Sequence, residues 1–467
     1  MKPIHANELL AGLALARPVL IHAVVTDSRK VTPGCIFVCF PGARVDGHDF
    51  AAAAFQAGAE YIIANHPVEG VPEDHLVVTP SSHRAMLRMA ANYRMLFNPL
   101  MIGVTGSVGK TTTKEFCYAV LSAFGNTLKT EGNQNNEIGL PNTLFRLEDA
   151  TEYAVVEMGM SALGEIARLA RTARPAAGII TMIGVSHLEN LGSRENILKA
   201  KLEICQGLPD GAPLVLNADD DLLPGAPLPE RLHPVWFGIE AKTADVRAVD
   251  IRDAGDGTAF TLQDAEYGRF EVTIPTVGLH TVRDALAAYT AATRLGLDPA
   301  RAAAALANYR TTGMRQHVVE HGGVTFIEDC YNASPDSMRA ALDILTRRTP
   351  GPGGRRIAVL GDMLELGQAS EQAHRQTGEA AAAAADLVIA VGPLSAALAE
   401  AARSRGTKTL YCQSIGEVVE YLRLNLCCGD VVLAKASHAM QFEQMLNDLY
   451  AVLPAPAAST EPDRSTT

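Results

Sequence analysis

The stretch "VTGSVGKTTTKE" (104–115) constrains the fold more than any other part of this chain. It follows the apolar run "NPLMIG" and leads into a helix-competent segment, the strand–turn–helix setting of a phosphate-binding loop. In that setting, backbone N–H groups of the turn and of the helix N-terminus cradle phosphate oxygens. The stretch departs from the common G-x-x-x-x-G-K-[ST] pattern, because Val104 stands where the opening glycine belongs. Gly106 supplies an early flexible position, so the loop reads as a shortened form with Gly106, Ser107, Gly109, Lys110, Thr111 and Thr112 as nucleotide-binding residues. Lys110 would bring a point charge to the β- and γ-phosphates, and the Thr111 hydroxyl would face Mg²⁺. On this stretch alone a structural turn of small residues remains the alternative.

A loop of this kind requires a sheet behind it. Apolar runs at 101–105, 153–157, 178–183 and 213–217 alternate with helical segments, as in a parallel sheet wrapped by helices. The polar, glycine-punctuated stretch 238–278 reads as an antiparallel excursion before the helix "RDALAAYTAATRLG". Upstream, "CIFVCF" and "AEYIIAN" flank the helix-like "DFAAAAFQAGA", a small α/β unit. Downstream of "YRTTGMRQ", the runs "VTFIED", "RRIAVLGD", "ADLVIAVG" and "GDVVLAKAS" predict another α/β unit. The expected fold class is therefore α/β with three domains: a small N-terminal α/β domain (1–97), a central P-loop ATPase-like parallel-sheet domain (98–313) and a C-terminal Rossmann-like domain (314–453). The last residues, 454–467, are rich in Pro, Ser, Thr and Ala and are expected to be disordered.

A net charge of −12 argues against a general nucleic-acid binder, since phosphate backbones demand basic surfaces. Glu8 and Arg17 interrupt the N-terminal apolar run, and no stretch reaches the roughly 18 apolar residues of a membrane helix. The eight cysteines form no CxxC pair, which suits reduced thiols. A cytoplasmic monomer without membrane insertion is expected.

In open α/β sheets, ligands gather beyond the carboxyl ends of the strands. Glu157 ends one apolar run and His187 follows another, so both should reach the rim that carries the loop. Singly, each is an ordinary strand-end polar group; jointly, they could hold Mg²⁺, for which the histidine is the less usual ligand. Lys199 and Lys201 lie in the helix-like "ENILKAKLEICQGL", where a surface lysine is the default.

Together, "TGSVGKTTTKE", "GNQNNEIGLP", "VVEMG", "SHLENLGS" and "KAKLEI" resemble the ATP-dependent Mur ligases of peptidoglycan synthesis. The segments "TDSRKVTPGCIFVCFPGARVDGHDF", "DCYNASPDSM" and "LGDMLELG" resemble the member that adds D-alanyl-D-alanine to a UDP-N-acetylmuramoyl tripeptide through an acyl phosphate. The resemblance runs from about residue 24 to about residue 445. It implies ATP and Mg²⁺ as cofactors, with Lys110, His187 and Lys201 as catalytic residues. Thr111 and Glu157 would bind one Mg²⁺, and His187 with a carbamylated Lys201 would bind a second. Ser28 and Arg29 would hold the UDP portion, and Asn133, Asn135 and Asn136 would border the muramoyl peptide. His280, Arg315, Asp329 and Asn332 would meet the nucleotide, while Lys435 and Ser437 would serve the incoming dipeptide.

Three positions depart from the family pattern. Thr281 and Asp284 in "GLHTVRD" stand where asparagines are usual, and His438 in "KASH" replaces an arginine expected to bind the dipeptide carboxylate. A neutral or partly protonated histidine is a weaker anion partner at pH 7. These departures leave open a Mur-type ligase using another amine or dipeptide, and a non-catalytic Mur-like scaffold. A folylpolyglutamate synthase-like ligase would leave "TDSR" and "DGHDF" unexplained.

Overall fold

The computed structural model describes residues 1–42 and 45–453; the expected disordered tail, 454–467, lies outside the described residues. Its contacts divide the chain into two compact units. The first is Met1–Ile183 with Ser193–Tyr309, and the second is Gly184–Gly192 with the chain from Arg310 onward.

The first unit opens with a short antiparallel pair, β1 (Ile4–His5) and β2 (Leu20–Ile21). A four-stranded parallel sheet follows, in the order β3 (Ala23–Val25), β4 (Cys35–Val38), β5 (Tyr61–Ala64) and β6 (Leu76–Val78). Its inner strands "CIFV" and "YIIA" are buried throughout, as strands covered on both faces must be.

The larger sheet of this unit is built from β7 (Leu100–Thr105), β8 (Thr127–Lys129), β9 (Tyr153–Glu157), β10 (Ala177–Ile180), β11 (Pro213–Asn217), β12 (His233–Gly238), β13 (Val246–Asp253), β14 (Thr258–Asp264) and β15 (Gly268–Ile274). Their order is β15-β14-β13-β12-β11-β10-β7-β9-β8. Strands β7 to β12 pair in parallel, and β13-β14-β15 form the antiparallel excursion expected at 238–278. Ile102, Val104, Val155, Ile179 and Val215 share one core with Phe116 and Val120 of helix Lys110–Ser122 and with Val282, Leu286 and Tyr289 of helix Leu279–Arg294. Burying such side chains contributes about 1.5–3 kcal/mol each, so this core holds the loop's strand and helix in place.

The run expected as a strand at 178–183 ends at Ile180. Beyond it Thr181 N still donates to the Thr105 carbonyl at 3.0 Å, while the Thr181 hydroxyl turns to the Val108 carbonyl, so the chain passes there from the sheet to the loop.

The second unit holds a six-stranded sheet of β16 (His317–His321), β17 (Val324–Glu328), β18 (Arg356–Gly361), β19 (Leu387–Val391), β20 (Lys408–Cys412) and β21 (Val431–Lys435). The order is β16-β17-β21-β18-β19-β20, parallel except for β16. Helix Pro335–Arg347, capped at Ser334 by a reciprocal capping box, follows β17. Among the described residues, no helix is long and apolar enough to cross a membrane.

Candidate functional site

Val104 is a fully buried residue of β7, and the turn begins only at Gly106. That resolves the missing glycine: strand occupies the position where the longer loop would already have turned. Gly106 has φ 147° and Gly109 φ 87°, both in the region that L side chains rarely adopt. A Cβ at Gly106 would lie 1.9 Å from Thr181 Oγ1, and one at Gly109 would lie 2.5 Å from Asp284 Oδ1. The loop is thus held against two side chains from distant parts of the sequence. Ser107 N also donates to the Met182 carbonyl at 2.9 Å, and Asn217 Nδ2 donates to the Thr181 carbonyl at 3.0 Å.

Helix Lys110–Ser122 starts directly after Gly109 with no side-chain cap. Its first N–H groups therefore point out of the helix without a side-chain acceptor. Ser107 Oγ is buried and has no hydrogen-bond partner among the described residues. A buried hydroxyl left unpaired is costly, and an uncapped helix start favours an anion; both fit a phosphate. Lys110 Nζ donates to the carbonyls of Gly106 (2.9 Å) and Ser107 (3.2 Å), folded back over the loop.

Thr111 Oγ1 donates to Glu157 Oε2 at 2.8 Å, and Asn135 Nδ2 donates to Glu157 Oε1 at 2.8 Å. Glu157, at the end of β9, is only 1% exposed, and its own N–H is taken by Thr130 Oγ1 at 3.0 Å. The hydroxyl and carboxylate oxygens are hard donors of the kind Mg²⁺ selects. Among the described residues, no three His, Cys, Asp or Glu side chains converge as a metal cage. Mg²⁺ suits such a sparse set, since it keeps several waters and binds through one or two protein oxygens plus phosphate.

Lys201 and Lys199 sit on helix Arg194–Leu202, on opposite sides of burial: Lys201 is 1% exposed, whereas Lys199 is exposed. Burial pushes the Lys201 amine well below the usual lysine range, and the Lys110 charge adds to that effect. Glu157, Glu165 and Glu203 pull in the opposite direction. Glu203 is itself occupied, accepting from Gly164 N at 2.6 Å and Ala167 N at 3.1 Å at the start of helix Glu165–Ala173.

The remaining asparagines differ in use. Asn136 Oδ1 accepts from Ile138 N (3.1 Å) and Gly139 N (2.8 Å), which shapes the start of helix Gly139–Leu144. Asn133 is exposed, its carbonyl accepting from Asn135 N at 2.7 Å. Thr112 lies in the first turn of the loop helix. His280 lies in the first turn of helix Leu279–Arg294 beside Thr281, whose hydroxyl donates to the Gly278 carbonyl at 2.7 Å. Asp284 Oδ1 accepts from Thr113 Oγ1 at 2.9 Å, so this departure from the family pattern braces the loop helix.

Ser28 and Arg29 open the short turn Ser28–Lys30 after β3. Arg29 forks onto Asp27 through Nε (2.9 Å) and Nη2 (2.8 Å), and holds that carboxyl down at about 2. The Arg29 side chain is still 87% exposed and open to a further anion.

In the second unit, His187 adopts φ 65° at the start of helix Leu188–Leu191, with Nδ1 2.7 Å from Glu365 Oε2. Lys435 is buried at the end of β21. Its ammonium donates to Asp329 Oδ2 (2.8 Å), the Asp329 carbonyl (3.3 Å) and the Asn332 carbonyl (2.9 Å). Its three protons are thereby matched by acceptors from the two residues expected at the nucleotide. Burial raises the Asp329 carboxyl above its usual range, against the pull of Lys435. The Arg315 guanidinium stacks 4.0 Å from the Tyr331 ring centroid, and His438 lies on that tyrosine at 5.9 Å. Ser437 Oγ accepts from Leu364 N at 3.0 Å, tying the end of β21 to "LGDMLELG".

Sequence reasoning missed Thr181, Asn217 and Thr130. Each acts through a contact with residues far away in the chain, and none belongs to a motif.

Comparison with known proteins is consistent across the chain. Family models match residues 20–94 (Mur ligase family, catalytic domain), 104–292 (Mur ligase middle domain) and 314–438 (Mur ligase, glutamate ligase domain). The UDP-N-acetylmuramoyl-tripeptide–D-alanyl-D-alanine ligase of Bacillus subtilis is 38% identical over 95% of this chain and 96% of its own length. A crystal structure of MurF from Acinetobacter baumannii aligns with a TM-score of 0.87 at 29% identity, covering 97% of this chain and 99% of that one. The MurF ligase of Thermotoga maritima in complex with ADP aligns with a TM-score of 0.82 at 30% identity, covering 92% of this chain and 98% of that one.

Proposed function

The chain belongs to the Mur ligase family, and from that membership we propose that it is the ATP-dependent acid–amino-acid ligase that joins D-alanyl-D-alanine to a UDP-N-acetylmuramoyl tripeptide in peptidoglycan precursor synthesis. The observation that carries the reading is the shortened loop with its buried, unpartnered Ser107 hydroxyl and with Thr111 bonded to Glu157. The same reading takes 1–97, 98–313 and 314–453 as the three domains and the enzyme as a cytoplasmic monomer.

The terminal carboxylate of the tripeptide is a poor electrophile. Transfer of the ATP γ-phosphoryl group to one of its oxygens gives an acyl phosphate and ADP. The dipeptide amine then attacks the acyl carbon and loses a proton, and the tetrahedral intermediate expels phosphate to leave the amide. Moving a phosphoryl group onto an anion requires positive charge and aligned donors. Lys110 supplies the charge by leaving the Gly106 and Ser107 carbonyls for the phosphates, and the loop N–H groups with Ser107 Oγ supply the donors. Thr111 and Glu157 would hold one Mg²⁺, and His187 with Lys201 a second; when bound, the ions would offset charge on the phosphate oxygens.

Lys201 would serve as a carbamate. The neutral amine adds to CO₂, forming an N–C bond as one C=O π bond opens, and a proton leaves to solvent. The product is a carboxylate where the sequence has a cation. Burial, which favours the neutral amine, supports this reaction.

In the second unit, Asp329, Asn332 and Arg315 would meet the nucleotide, held in register by Lys435. Ser28 and Arg29 would take the UDP diphosphate, where a guanidinium fork suits phosphate oxygens. ADP release tests the assignment directly. Turnover should require both the UDP-muramoyl tripeptide and D-alanyl-D-alanine; its absence with every pairing, in protein that binds ATP, would leave a scaffold. A second reading changes only the incoming amine, and the exposed His438 on Tyr331 favours it, because arginine is usual there. Turnover with another dipeptide but not with D-alanyl-D-alanine would select that reading.

A further inference from the structure

A cavity of about 1080 Å³ lies in the first unit at the starting ends of β7 and β9, where Leu100 and Tyr153 line it. The nucleotide loop follows the opposite end of β7. At about 3.3 Å per residue, the six residues of that strand span roughly 17–20 Å, so the two places are distinct.

One wall carries Arg94, Arg171 and Arg174. Arg94, the last residue of helix Ser82–Arg94, is only 7% exposed. It donates Nε to the Ala173 carbonyl at 3.0 Å and Nη1 to the Phe97 carbonyl at 2.7 Å. Arg171 donates to the Gln206 amide oxygen at 2.6 Å, and Arg174 Nη1 lies 3.3 Å from Met95 Sδ. The partners are carbonyls, an amide and a thioether, so these contacts orient the guanidinium groups without neutralising them. Burial and the Arg174 charge together push the Arg94 guanidinium below its usual range.

The acids on the rim are partly spent. Asp149 is paired with Lys2 Nζ at 2.7 Å, and Glu152 Oε1 accepts from Asn126 N at 3.1 Å. Glu148 also lines the cavity and opposes the arginines. Guanidinium forks match phosphate oxygens bidentately, and a cavity of this size accepts a small metabolite.

We propose that this cavity is a second ligand site, taking a small phosphate-bearing metabolite whose phosphate lies between Arg94, Arg171 and Arg174. Its occupant would brace the connection 95–99, which lines the cavity from Leu96 to Pro99, against the end of helix Glu165–Ala173. The site is independent of the ligase reading.

Inorganic pyrophosphate is the probe, titrated calorimetrically into the full chain carrying Lys110→Ala, which weakens competition from the loop. One saturable site is expected. Adding Arg171→Gln and Arg174→Gln, both at exposed positions, should weaken it about tenfold or more. Glu148→Gln should tighten it by removing the opposing charge, which gives a readout in the direction that misfolding cannot mimic. Absence of a saturable site in the Lys110→Ala protein, equal binding after the arginine changes, or no tightening with Glu148→Gln would each overturn the proposal.

Discussion

Gly106→Ala is the sharpest perturbation of the nucleotide loop. The new Cβ would sit 1.9 Å from Thr181 Oγ1 and 3.1 Å from the Thr181 nitrogen. Relief requires the hydroxyl to leave the Val108 carbonyl, which costs about 1–3 kcal/mol once that carbonyl loses its partner. Alanine at φ 147° adds about 1–3 kcal/mol of backbone strain. The loop shape is therefore disfavoured by about 2–6 kcal/mol, and affinity for a non-hydrolysable ATP analogue should fall by at least about thirtyfold. Equilibrium binding measures this, and circular dichroism melting checks that the sheet behind the loop survives. The double variant Gly106→Ala/Thr181→Ala removes the collision with the hydroxyl but leaves the Val108 carbonyl unpaired and keeps the backbone strain, so it should recover little of the loss. ATP-analogue binding within about threefold of the wild type in Gly106→Ala would refute the reasoning, because the loop would then not be the phosphate cradle in this conformation.

Three further outcomes are expected. Lys201→Ala should lose turnover and regain part of it with short carboxylic acids such as formate; equal activity without them would remove the carbamate from the mechanism. Asp284→Ala breaks the contact with Thr113 and should weaken ATP binding by about 1–2 kcal/mol, with Asp284→Asn closer to wild type; an unchanged Kd in Asp284→Ala would sink the bracing role. Burial lowers the His374 imidazole from its ordinary value of 6.5, and its Nε2 accepts from Met363 N at 3.0 Å. The unfolded chain therefore binds the proton more readily. The contribution from His374 is complete above pH 6.5 and is lost on acidification toward the lower folded pKa, with a slope of up to about 1.4 kcal/mol per pH unit. Urea midpoints measured from pH 7.5 downward should fall less steeply for His374→Gln, and parallel curves would contradict the assignment.

The central strands were legible in the sequence because parallel strands buried on both faces are written as continuous apolar runs, as in "LMIGVT", "YAVVE" and "LVIAV". The edges were not. Thr127–Lys129, Lys408–Cys412 and His317–His321 lie at sheet edges, are short or half exposed, and mix polar with apolar residues. Strand His233–Gly238 was hidden by Pro234, which argues against an interior strand in any sequence reading. At the site, the chemistry-bearing residues lie within local motifs and could be named. Lys199 and Lys201, two residues apart in one helix, lie on different faces, so the surface-lysine default holds for Lys199 and fails for the buried Lys201. Thr181 and Asp284 could not be assigned to the loop, because their effect depends on which backbone atoms the sheet brings within reach of Gly106 and Gly109.

The resting contacts of the loop also explain how its charges are held before any ligand arrives. Lys110 is satisfied by two loop carbonyls, and Glu157 by Thr111 and Asn135. A buried ion without partners would cost several kcal/mol, so these hydrogen bonds keep the site folded. Ligand binding must then exchange partners rather than create them. The Lys110 ammonium trades neutral carbonyls for anionic phosphate oxygens, so that both partners of the hydrogen bond are charged, an exchange that is favourable by itself. Glu157 would trade the Thr111 proton for a cation, while Asn135 could keep its bond to the other carboxylate oxygen. Ser107 Oγ starts without a partner among the described residues, so a phosphate oxygen there breaks nothing and removes an existing penalty. The loop is consequently biased toward phosphate at the step where the net exchange is most favourable, and the first contact should form at Ser107 and the helix start, with Lys110 following.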